Sequence, residues 1–375
     1  MAARESIKRV RGTILGGACL CVLAIILVAG LWPFTAHPRN QVTWLRNSTG
    51  LEFGDHANIV SSDRFTASGL PEGGPCSLEM CLSPGLTNDS NTLLAFYTLE
   101  NLFQFRMRQL NEDLFLSRGG PDDHGFPGAG MEVDDVLHQG KRLFLTITSD
   151  GMVTTIYIDG KFARRSSHFV LTSRDLTGQL IVGNAPLEND SWSGKLWGLA
   201  VYTRELSPEE ISQHAQHLWK SSEHPAVPAD EELVGFYSFD ERSGRIIHNR
   251  AKRGPDLLIP ASFEIGRKVM LEPFWKEYYP GVGYYEDLAV NIAGFMPLGF
   301  FFAAYLARIG KMRQAALVTI LIGFTVSLTI EILQAYIPTR DSGTTDLFTN
   351  TLGTAIGAQV YGRSTVLGIL ERIGL

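Results

Sequence analysis

A small group of polar side chains interrupts the most apolar part of the chain, near its C-terminus. They are Asp287, Asn291, Glu331, Gln334, Arg340, Asp346 and Asn350. A carboxylate in a low-dielectric site can act as a general acid or base, and Glu331 and Asp346 are the candidates. The guanidinium of Arg340 could clamp a phosphate through two hydrogen bonds. With the other four side chains as additional ligands, the set predicts a site for a phosphate-bearing or pyrophosphate-bearing head group, and we predict no metal there.

The spacing of these residues places them in pairs on helix faces. Asp287 and Asn291 are separated by four positions, as are Asp346 and Asn350, and Glu331 and Gln334 by three. Residues three or four apart share one face of a helix. A carboxylate inside the apolar part of a bilayer costs a few kcal/mol unless it meets a partner or water, so these faces must turn inward. Arg340 is the nearest cation to Glu331 and its expected partner.

The elements that position these residues are apolar segments of membrane-spanning length, at 13–34, 288–306, 315–336 and 347–361. About 20 apolar residues in a helix match the roughly 30 Å hydrocarbon core of a bilayer. The first segment exceeds the apolar core of about 7–15 residues found in cleaved signal peptides, and no convincing cleavage site follows it. The sequence therefore predicts a polytopic helical bundle of about four spans, with the first retained as an anchor.

Basic residues predict the orientation of the bundle. They cluster before the first span, between the second and third, and after the fourth, as Arg4, Lys8, Arg9, Arg11, Arg308, Lys311, Arg313 and Arg363. Alternate threading puts all of them on one side, which the positive-inside rule makes cytoplasmic. Residues 1–12 and 363–375 are then cytoplasmic, and residues 35–287 lie outside a bacterial inner (plasma) membrane. The polar groups of the last three spans fall together in the outer leaflet or at its surface.

The sequence pattern of the long segment between the first two spans predicts β-strands. Residues 143–148 and 153–158 alternate β-branched and polar positions, and Asp-Gly pairs follow each run at 150–151 and 159–160, which is typical of paired strands. One helix is predicted from Ser207, with Pro208 in its first turn and Glu210 completing a capping box, as far as about Trp219.

Three further features of composition leave alternatives open. Cys76 and Cys81 lie in the segment predicted to be exported, where an oxidising compartment permits a disulfide if the Cα atoms approach within about 7 Å. His214 and His217 share a helix face and could ligate a metal, although solvated histidines are commoner there. The net charge of −6 argues against a nucleic-acid partner.

Several short sequence motifs in the segment predicted to be exported resemble those of one family. Residues 145–162 contain Tyr157-Ile-Asp-Gly160, residues 180–184 read Leu-Ile-Val-Gly-Asn, and residues 192–202 read Trp-Ser-Gly-Lys-Leu-Trp-Gly-Leu-Ala-Val-Tyr. In this order, followed by the helix at Ser207, they resemble the closing half of a laminin-G-like domain of the concanavalin A-like lectin/glucanase superfamily. The resemblance implies a jelly-roll β-sandwich over residues 41–220.

The superfamily includes glycan binders, protein binders and polysaccharide hydrolases, so the fold alone does not decide among them. Its glucanases carry Glu-x-Asp-x-x-Glu, whereas this chain has Glu132-Val-Asp134-Asp135-Val-Leu137, and we therefore reject glucanase activity. Calcium, which some relatives bind, is an option through Asp55, Asn184 and Asp190, but such loop residues more often form turns. We expect no other cofactor.

Residues 221–285 are open to two interpretations. Within them, Tyr237-Ser-Phe-Asp240-Glu-Arg-Ser-Gly244 resembles a phrase that usually opens a laminin-G-like domain, yet here it follows the closing phrase. The segment is either a connector close to the membrane or a source of late edge strands.

The C-terminal motifs resemble a second family. They read Asp287-x3-Asn291-x3-Phe295-x-Pro297-x-Gly299, then Ser327-Leu-x-Ile-Glu331-x2-Gln334, then Pro338-x-Arg340-x5-Asp346-x3-Asn350-x2-Gly353-x3-Gly357. Their order resembles the VanZ-like membrane family, named for a member linked to glycopeptide resistance, over residues 286–362. The usual first helix is absent just before Asp287. We therefore expect residues 13–34 to be that helix, with the sandwich inserted after it, as close domain termini permit.

Two functions from different classes follow for this predicted cell-envelope protein. One is an enzyme acting on lipid-linked envelope intermediates or phospholipid head groups. The other is a non-catalytic protein that binds or tethers envelope glycan or protein through its external sandwich. In the second case the polar residues of the bundle are interhelical hydrogen-bonding groups that keep polar atoms away from lipid.

Overall fold

The structure is a computed structural model that describes residues 2–35, 37–66, 73–86, 90–119, 129–187, 189–218, 227–263, 268–277, 282–308 and 312–363. Lys311, Trp219 and the tail after Arg363 lie outside these residues. The chain divides into two compact units, Met1–Ala36 with Lys268–Leu375, and His37–Arg267. The second unit is thus inserted in the sequence between parts of the first, and each unit is described by itself.

The inserted unit is a β-sandwich whose strands carry our labels in chain order. They are β1 (Val42–Trp44), β2 (Leu51–Phe53), β3 (Ile59–Ser61), β4 (Cys76–Pro84), β5 (Ser90–Tyr97), β6 (Phe105–Leu110), β7 (Asp113–Arg118), β8 (Ala129–Val133), β9 (Leu143–Ser149), β10 (Thr154–Ile158), β11 (Lys161–Ser166), β12 (Gln179–Val182), β13 (Gly194–Tyr202), β14 (Leu233–Tyr237), β15 (Ile246–Ile247) and β16 (Leu257–Leu258).

These strands form two antiparallel sheets of eight strands each. One has the order β1-β2-β13-β4-β9-β10-β11, with β14 also paired to β13, and the other has the order β15-β16-β3-β12-β5-β6-β7-β8. The apolar core lies between them and includes Leu78, Phe96, Phe105, Ile147 and Trp192. The predicted two-sheet sandwich is confirmed.

The predicted hairpins of the sandwich form as the sequence indicated. β9 pairs with β10, and β10 pairs with β11 through the turn at Asp159 and Gly160. Both turn residues have positive φ, 52° and 76°, as a two-residue turn between twisted strands requires. The Asp-Gly pair was therefore a reliable turn signal.

The central strands β4 and β9 are buried along their whole length, because both faces of the sheet are covered there. A short helix, α2 (Pro208–Gln213), continues as a π-helical turn (His214–Leu218) over the outer face. Its Ile211 packs with Cys81, Phe144 and Tyr202. The predicted capping box between Ser207 and Glu210 is present. The polar residues at alternate positions of these strands, such as Ser77, Glu79 and Thr148, are therefore buried as well.

Residues 233–258 form strands of the sandwich. β14 pairs with β13, and β16 pairs with β3 and carries β15 at the sheet edge. The Tyr237 hydroxyl donates to the Pro255 carbonyl at 2.6 Å, and Arg250 binds the Asp240 carboxylate. Residues 233–258 therefore supply late strands of the sandwich, which was one of the two interpretations that the sequence left open.

The first unit is helical. It consists of α1 (Ala2–Leu31), the short α3 (Phe274–Glu277), α4 (Val282–Ala307), α5 (Met312–Gln334) and α6 (Thr344–Tyr361). Among the described residues, three helical segments are long and apolar enough to cross a membrane, namely Gly12–Leu31, Tyr284–Ala307 and Gln314–Gln334. The remaining expected span, 347–361, lies within α6, which is not among those three.

Apolar and small side chains hold this unit together. Ile26 of α1 packs against Phe295 and Leu298 of α4 and Ile330 of α5, so the first helix is part of the bundle. On α6, a Cβ added at Gly353 would lie 2.2 Å from the carbonyl oxygen of Ile292. The corresponding distance from Gly357 to the carbonyl oxygen of Met296 is 2.0 Å. Gly353 and Gly357 therefore let α4 and α6 approach closely, as small-xxx-small spacing predicts.

Candidate functional site

The polar side chains singled out in the C-terminal region gather at one end of the helical unit. That end consists of the C-termini of α1 and α5, the N-termini of α4 and α6, and the α5–α6 loop. Hydrogen bonds between these elements, described below, bring the side chains together. We call this group, with Glu277 and Lys268 added below, the polar cluster.

Glu331 lies at the centre of the cluster. Its side chain is 1% exposed, and its Oε2 accepts a hydrogen bond from the backbone N–H of Gly343 at 2.8 Å. The charges of Asp346 and Glu277 repel it, and that of Arg340 attracts it. The loop before α6 therefore supplies a donor to the buried carboxyl group of the preceding helix.

The expected ion pair between Glu331 and Arg340 is wrong. The Arg340 Nη2 atom instead donates to the carbonyl oxygens of Ala29 and Gly30, at 3.0 and 3.2 Å. Gln334 also donates to Gly30, at 2.8 Å. The last carbonyls of α1 have no partner within their own helix, and this explains why they bind both side chains. Arg340 still acts electrostatically on Glu331.

The remaining predicted residues join α4, α5 and α6. Asn291 donates to Oδ1 of Asp346 at 2.7 Å, and Asn350, which is 5% exposed, donates to the Ser327 hydroxyl at 3.0 Å. Asp287 is exposed one turn before Asn291, and its charge acts on Asp346. All the candidate residues thus lie at this end of the unit, and Asp287 is at its periphery.

Two members of the cluster were missed by sequence reasoning. Glu277 of α3 accepts a hydrogen bond from the Thr345 N–H at 2.9 Å, and its charge acts on both Glu331 and Asp346. Lys268 donates to the carbonyl oxygens of Gln334 and Ile337 at the end of α5. Burial is the main cause that lowers the pKa of Lys268 to about 8, with Arg340 adding to the shift and Asp341 opposing it.

A second buried polar group lies under α2 in the sandwich. Glu79 of β4 is fully buried, and its two carboxylate oxygens lie 3.1 and 3.0 Å from Nδ1 of His214. The hydroxyls of Tyr202 and Thr146 donate to the same carboxylate, each at 3.3 Å. His214 therefore binds a carboxylate of the sheet, while His217 points elsewhere as an exposed residue. The two histidines do not act as a pair.

Two of the three residues considered for calcium, Asn184 and Asp190, bind to other groups of the sandwich. Asn184 Oδ1 accepts from the Asp190 N–H at 2.9 Å. The Asp190 carboxylate accepts from the Thr92 hydroxyl at 2.5 Å and lies 3.7 Å from Arg108. Asp55 is exposed. Elsewhere in the described part of the sandwich, Glu112, Asp135 and His138 have the spacing of a metal-ligand group, which the sequence did not suggest.

Cys76 and Cys81 are both free thiols. They lie on the same strand, five residues apart, so their side chains point to opposite faces of the sheet. Cys76 belongs to the core between the sheets and Cys81 to the cluster under α2. The disulfide that the sequence left open is therefore not formed.

Comparison with protein families gives two matches. Residues 233–366 match VanZ/LLP1, and residues 64–212 match the concanavalin A-like lectin/glucanases superfamily. The first match begins at the first residue of β14 and continues through α6. Comparison with curated proteins gave no match.

Solved structures similar to the chain include a putative carbohydrate binding protein from Bacteroides ovatus, with 16% identity and a TM-score of 0.41, over 59% of this chain and 62% of that one. The chain therefore spans less than two thirds of that protein. A SAP-like pentraxin from Limulus polyphemus has 13% identity and a TM-score of 0.35, over 53% and 95% of the two chains. The Botulinum neurotoxin serotype D ligand binding domain has 12% identity and a TM-score of 0.36, over 48% and 45%.

The concanavalin A-like match lies within the sandwich unit, and the VanZ/LLP1 match covers α3–α6 of the helical unit together with the strands β14–β16 of the sandwich. The chain thus contains one part that matches VanZ/LLP1 and one that matches the concanavalin A-like lectin/glucanases superfamily, and its apolar helices, long enough to cross a membrane, indicate a membrane protein.

Proposed function

We propose that the protein binds the polar head group of an envelope lipid in the polar cluster, and an envelope glycan through its sandwich. The observation that carries the first part is a group of buried atoms without partners. In the described part of the helical unit they are Glu277 Oε1, Gln334 Oε1, Thr339 Oγ1, Arg340 Nε, Thr345 Oγ1 and Asn350 Oδ1. All belong to the end of the unit that holds the cluster.

Unpaired buried polar atoms are costly, about 1–3 kcal/mol each, unless water or a ligand satisfies them. Here the atoms include one donor of a guanidinium, three oxygen acceptors and two hydroxyls. A ligand that satisfies them must both accept and donate hydrogen bonds. A phosphate bearing a sugar or an amino alcohol meets this requirement, and lipid-linked glycans and phospholipids both carry such head groups.

Exposed aromatic side chains support a position at the membrane surface for this end of the unit. They follow α1 and α5, lie in α3, and begin α4 and α6, as Trp32, Tyr336, Trp275, Tyr285 and Phe348. Tryptophan and tyrosine are enriched where a bilayer meets water. A site at that depth is accessible to lipid head groups.

The distribution of basic residues supports an external position for the sandwich. Arg4, Lys8 and Arg9 lie before the apolar segment Gly12–Leu31 of α1, and Arg308 follows α4 at the opposite end from the polar cluster. By the positive-inside rule that opposite end is cytoplasmic. The sandwich, inserted after α1, is then on the outer side of a bacterial plasma membrane, where envelope glycans and proteins are available.

Glu331 and Asp346 are the proposed acid and base of an enzymatic function. Glu331 keeps one carboxylate oxygen on the Gly343 N–H, and Asp346 keeps one on Asn291, which fixes both carboxyl groups in orientation. The charge of Asp346 acts on Glu331. Of two such carboxyl groups, one can donate a proton while the other accepts one.

The test is lipid profiling of cells that carry no copy of the protein, the original chain, or the variant Glu331→Gln. Glutamine keeps the shape of the side chain and can still accept the Gly343 hydrogen bond. We expect the variant to fold and to give the lipid profile of cells without the protein. Glu286→Gln removes an exposed carboxylate next to Asp287 and serves as the matched control with an unchanged profile. A normal profile in both variants would refute the enzymatic function.

The non-catalytic alternative rests on a specific observation. Four of the predicted residues, Asn291, Gln334, Arg340 and Asn350, make hydrogen bonds between helices. If these contacts are their whole role, Glu331→Gln should lower the unfolding temperature in detergent, with no lipid product changed. Glycan retention by the sandwich would then remain as the function.

A further inference from the structure

The sandwich has a groove on the side where its two sheets end. β8 is the last strand of one sheet, and β11 is the last strand of the other. Between them is a cavity of about 490 Å³ whose lining includes Phe115, Glu132 and Arg164. This volume is within the range of about 300–1,000 Å³ typical of small-molecule sites.

The β11 side of the groove is basic. Arg164, Arg165 and His168 line it, against the single acidic side chain of Glu132 among the lining residues. Arg164 is exposed and makes no hydrogen bond or ion pair with any residue that the structure describes. A guanidinium without a protein partner is available to a ligand, and its planar fork matches the two oxygens of a carboxylate or phosphate.

The register of the strands fixes where Arg164 points. Arg164 is opposite Ile156 of β10, which is fully buried in the core. Side chains directly opposite each other in adjacent strands lie on the same face of the sheet. Arg164 therefore stands on the inner face of its edge strand, towards β8, and not on the outer surface of the sheet.

The β8 side of the groove contributes an aromatic surface. A Cβ at Gly130 would lie 2.6 Å from Cζ of Phe115, so the ring lies directly over the glycine backbone. Any larger residue at position 130 would push the ring away. Gly130 thus leaves room for the Phe115 ring beside the strand, and both residues line the groove.

We propose that this groove binds an anionic saccharide, whose charged group is held by Arg164 and whose ring packs against Phe115. The proposal rests on the glycan-binding part of the proposed function and names both its site and its ligand class. It is independent of the polar cluster, because Glu331 belongs to the helical unit and every residue lining the groove belongs to the sandwich. A uronic acid and a phosphate ester both carry such an anionic group, and the probes below distinguish them.

The experiment uses the full chain in detergent and isothermal titration with tetragalacturonate, with its neutral methyl ester, and with glycerol phosphate oligomers. We expect an anionic oligomer to bind and the methyl ester to bind at least about tenfold more weakly, since the charge-assisted pairs are lost. Arg164→Gln should weaken binding of the anionic probe by a similar factor. Lys161→Gln removes an exposed charge from the same strand, outside the groove lining, and should have little effect.

Gly130→Ala tests the aromatic side of the groove without changing its charge. It should weaken binding of the anionic probe while the unfolding temperature stays close to that of the original chain. If the chain bound the glycerol phosphate oligomer more tightly than the galacturonate, and Arg164→Gln weakened that binding too, the proposal would be supported and the anionic group identified as a phosphate. Equal binding of the acid and its methyl ester would overturn it while leaving glycan binding intact. Failure of the chain to bind any of the oligomers would overturn the proposal. If Arg164→Leu then dimerised through β11, the role of Arg164 would be to prevent this edge strand from pairing with another chain.

Discussion

Oε2 of Glu331 accepts a hydrogen bond from the backbone N–H of Gly343 at 2.8 Å, while Glu277 approaches the same glycine from its Cβ side. A Cβ at position 343 would lie 1.8 Å from Oε1 of Glu277. The two carboxyl groups therefore enclose one residue that must have no side chain. Glycine is required there by space and not by backbone conformation, because its φ is −133°.

We therefore expect Gly343→Ala to displace Glu277 and break its hydrogen bond to the Thr345 N–H in the first turn of α6. The free energy of unfolding should fall by about 1–3 kcal/mol, which is typical of adding a group to a filled site. Thermal unfolding in detergent measures it. Gly362→Ala, at the other end of α6, is the matched control, since its Cβ would meet no atom closer than 3.5 Å. Equal unfolding temperatures for the two variants would contradict the prediction.

The positions of the predicted site residues followed from the sequence because helix periodicity and charge distribution act along the chain. The spacing of Asp346 and Asn350 placed them on one face, and that face meets α4 and α5. The partner of Arg340 did not follow, because it depends on competition between Glu331 and the unpaired carbonyls at the end of α1. Proximity in sequence suggested Glu331 as the partner of Arg340, but the carbonyl oxygens at the end of α1 bind the guanidinium instead.

Glu277 and Lys268 were missed for a related reason. They lie on the segment 268–277, which has no periodic pattern, and enter the cluster through contacts with distant loops. The bridge between Glu272 and Gly343 fixes this segment beside the start of α6. Pairing of two short irregular segments leaves no signal in composition or spacing.

The close packing of α4 and α6 leads to a second prediction. Gly357→Ala should destabilise the helical unit by about 1–3 kcal/mol, because the added Cβ would fall 2.0 Å from the Met296 carbonyl oxygen. Gly294→Ala, on α4, should not destabilise it, since no atom lies within 4 Å of the added group and alanine favours helices. Unfolding temperatures in detergent distinguish the two. A neutral Gly357→Ala would show that the helices are further apart than described.

The arrangement of the cysteines leads to a third prediction. Cys76 and Cys81 point to opposite faces of β4, and all four cysteines of the chain are free. Thiol titration of the unfolded chain, purified without reductant, should therefore give four reactive thiols per molecule. In the folded protein Cys76 should react slowest among the thiols of the sandwich, because burial raises its pKa and keeps the reagent out. Two thiols after unfolding would demonstrate a disulfide and contradict the geometry.

The pairing of His214 with Glu79 leads to a prediction of pH dependence. Burial lowers the pKa of His214, but the hydrogen bond and the charge of Glu79 outweigh burial, and the net effect raises the pKa above its usual 6.5. A histidine whose pKa is raised by folding binds its proton more tightly in the folded state. Its contribution to stability is therefore complete below pH 6.5 and is lost as the pH rises through the folded pKa.

We accordingly expect the unfolding temperature of the full chain to fall more steeply as the pH rises above 6.5 than that of His214→Gln, which has no proton to lose. His217→Gln, on the same π-helical turn but exposed, should keep the slope of the original chain. Glu79→Gln should reduce the slope as well, since only the charge of Glu210 would then favour the protonated imidazole. If His214→Gln and His217→Gln gave the same slope, the ion pair would not be what fixes α2 to the sheet, and packing of Ile211 would be sufficient.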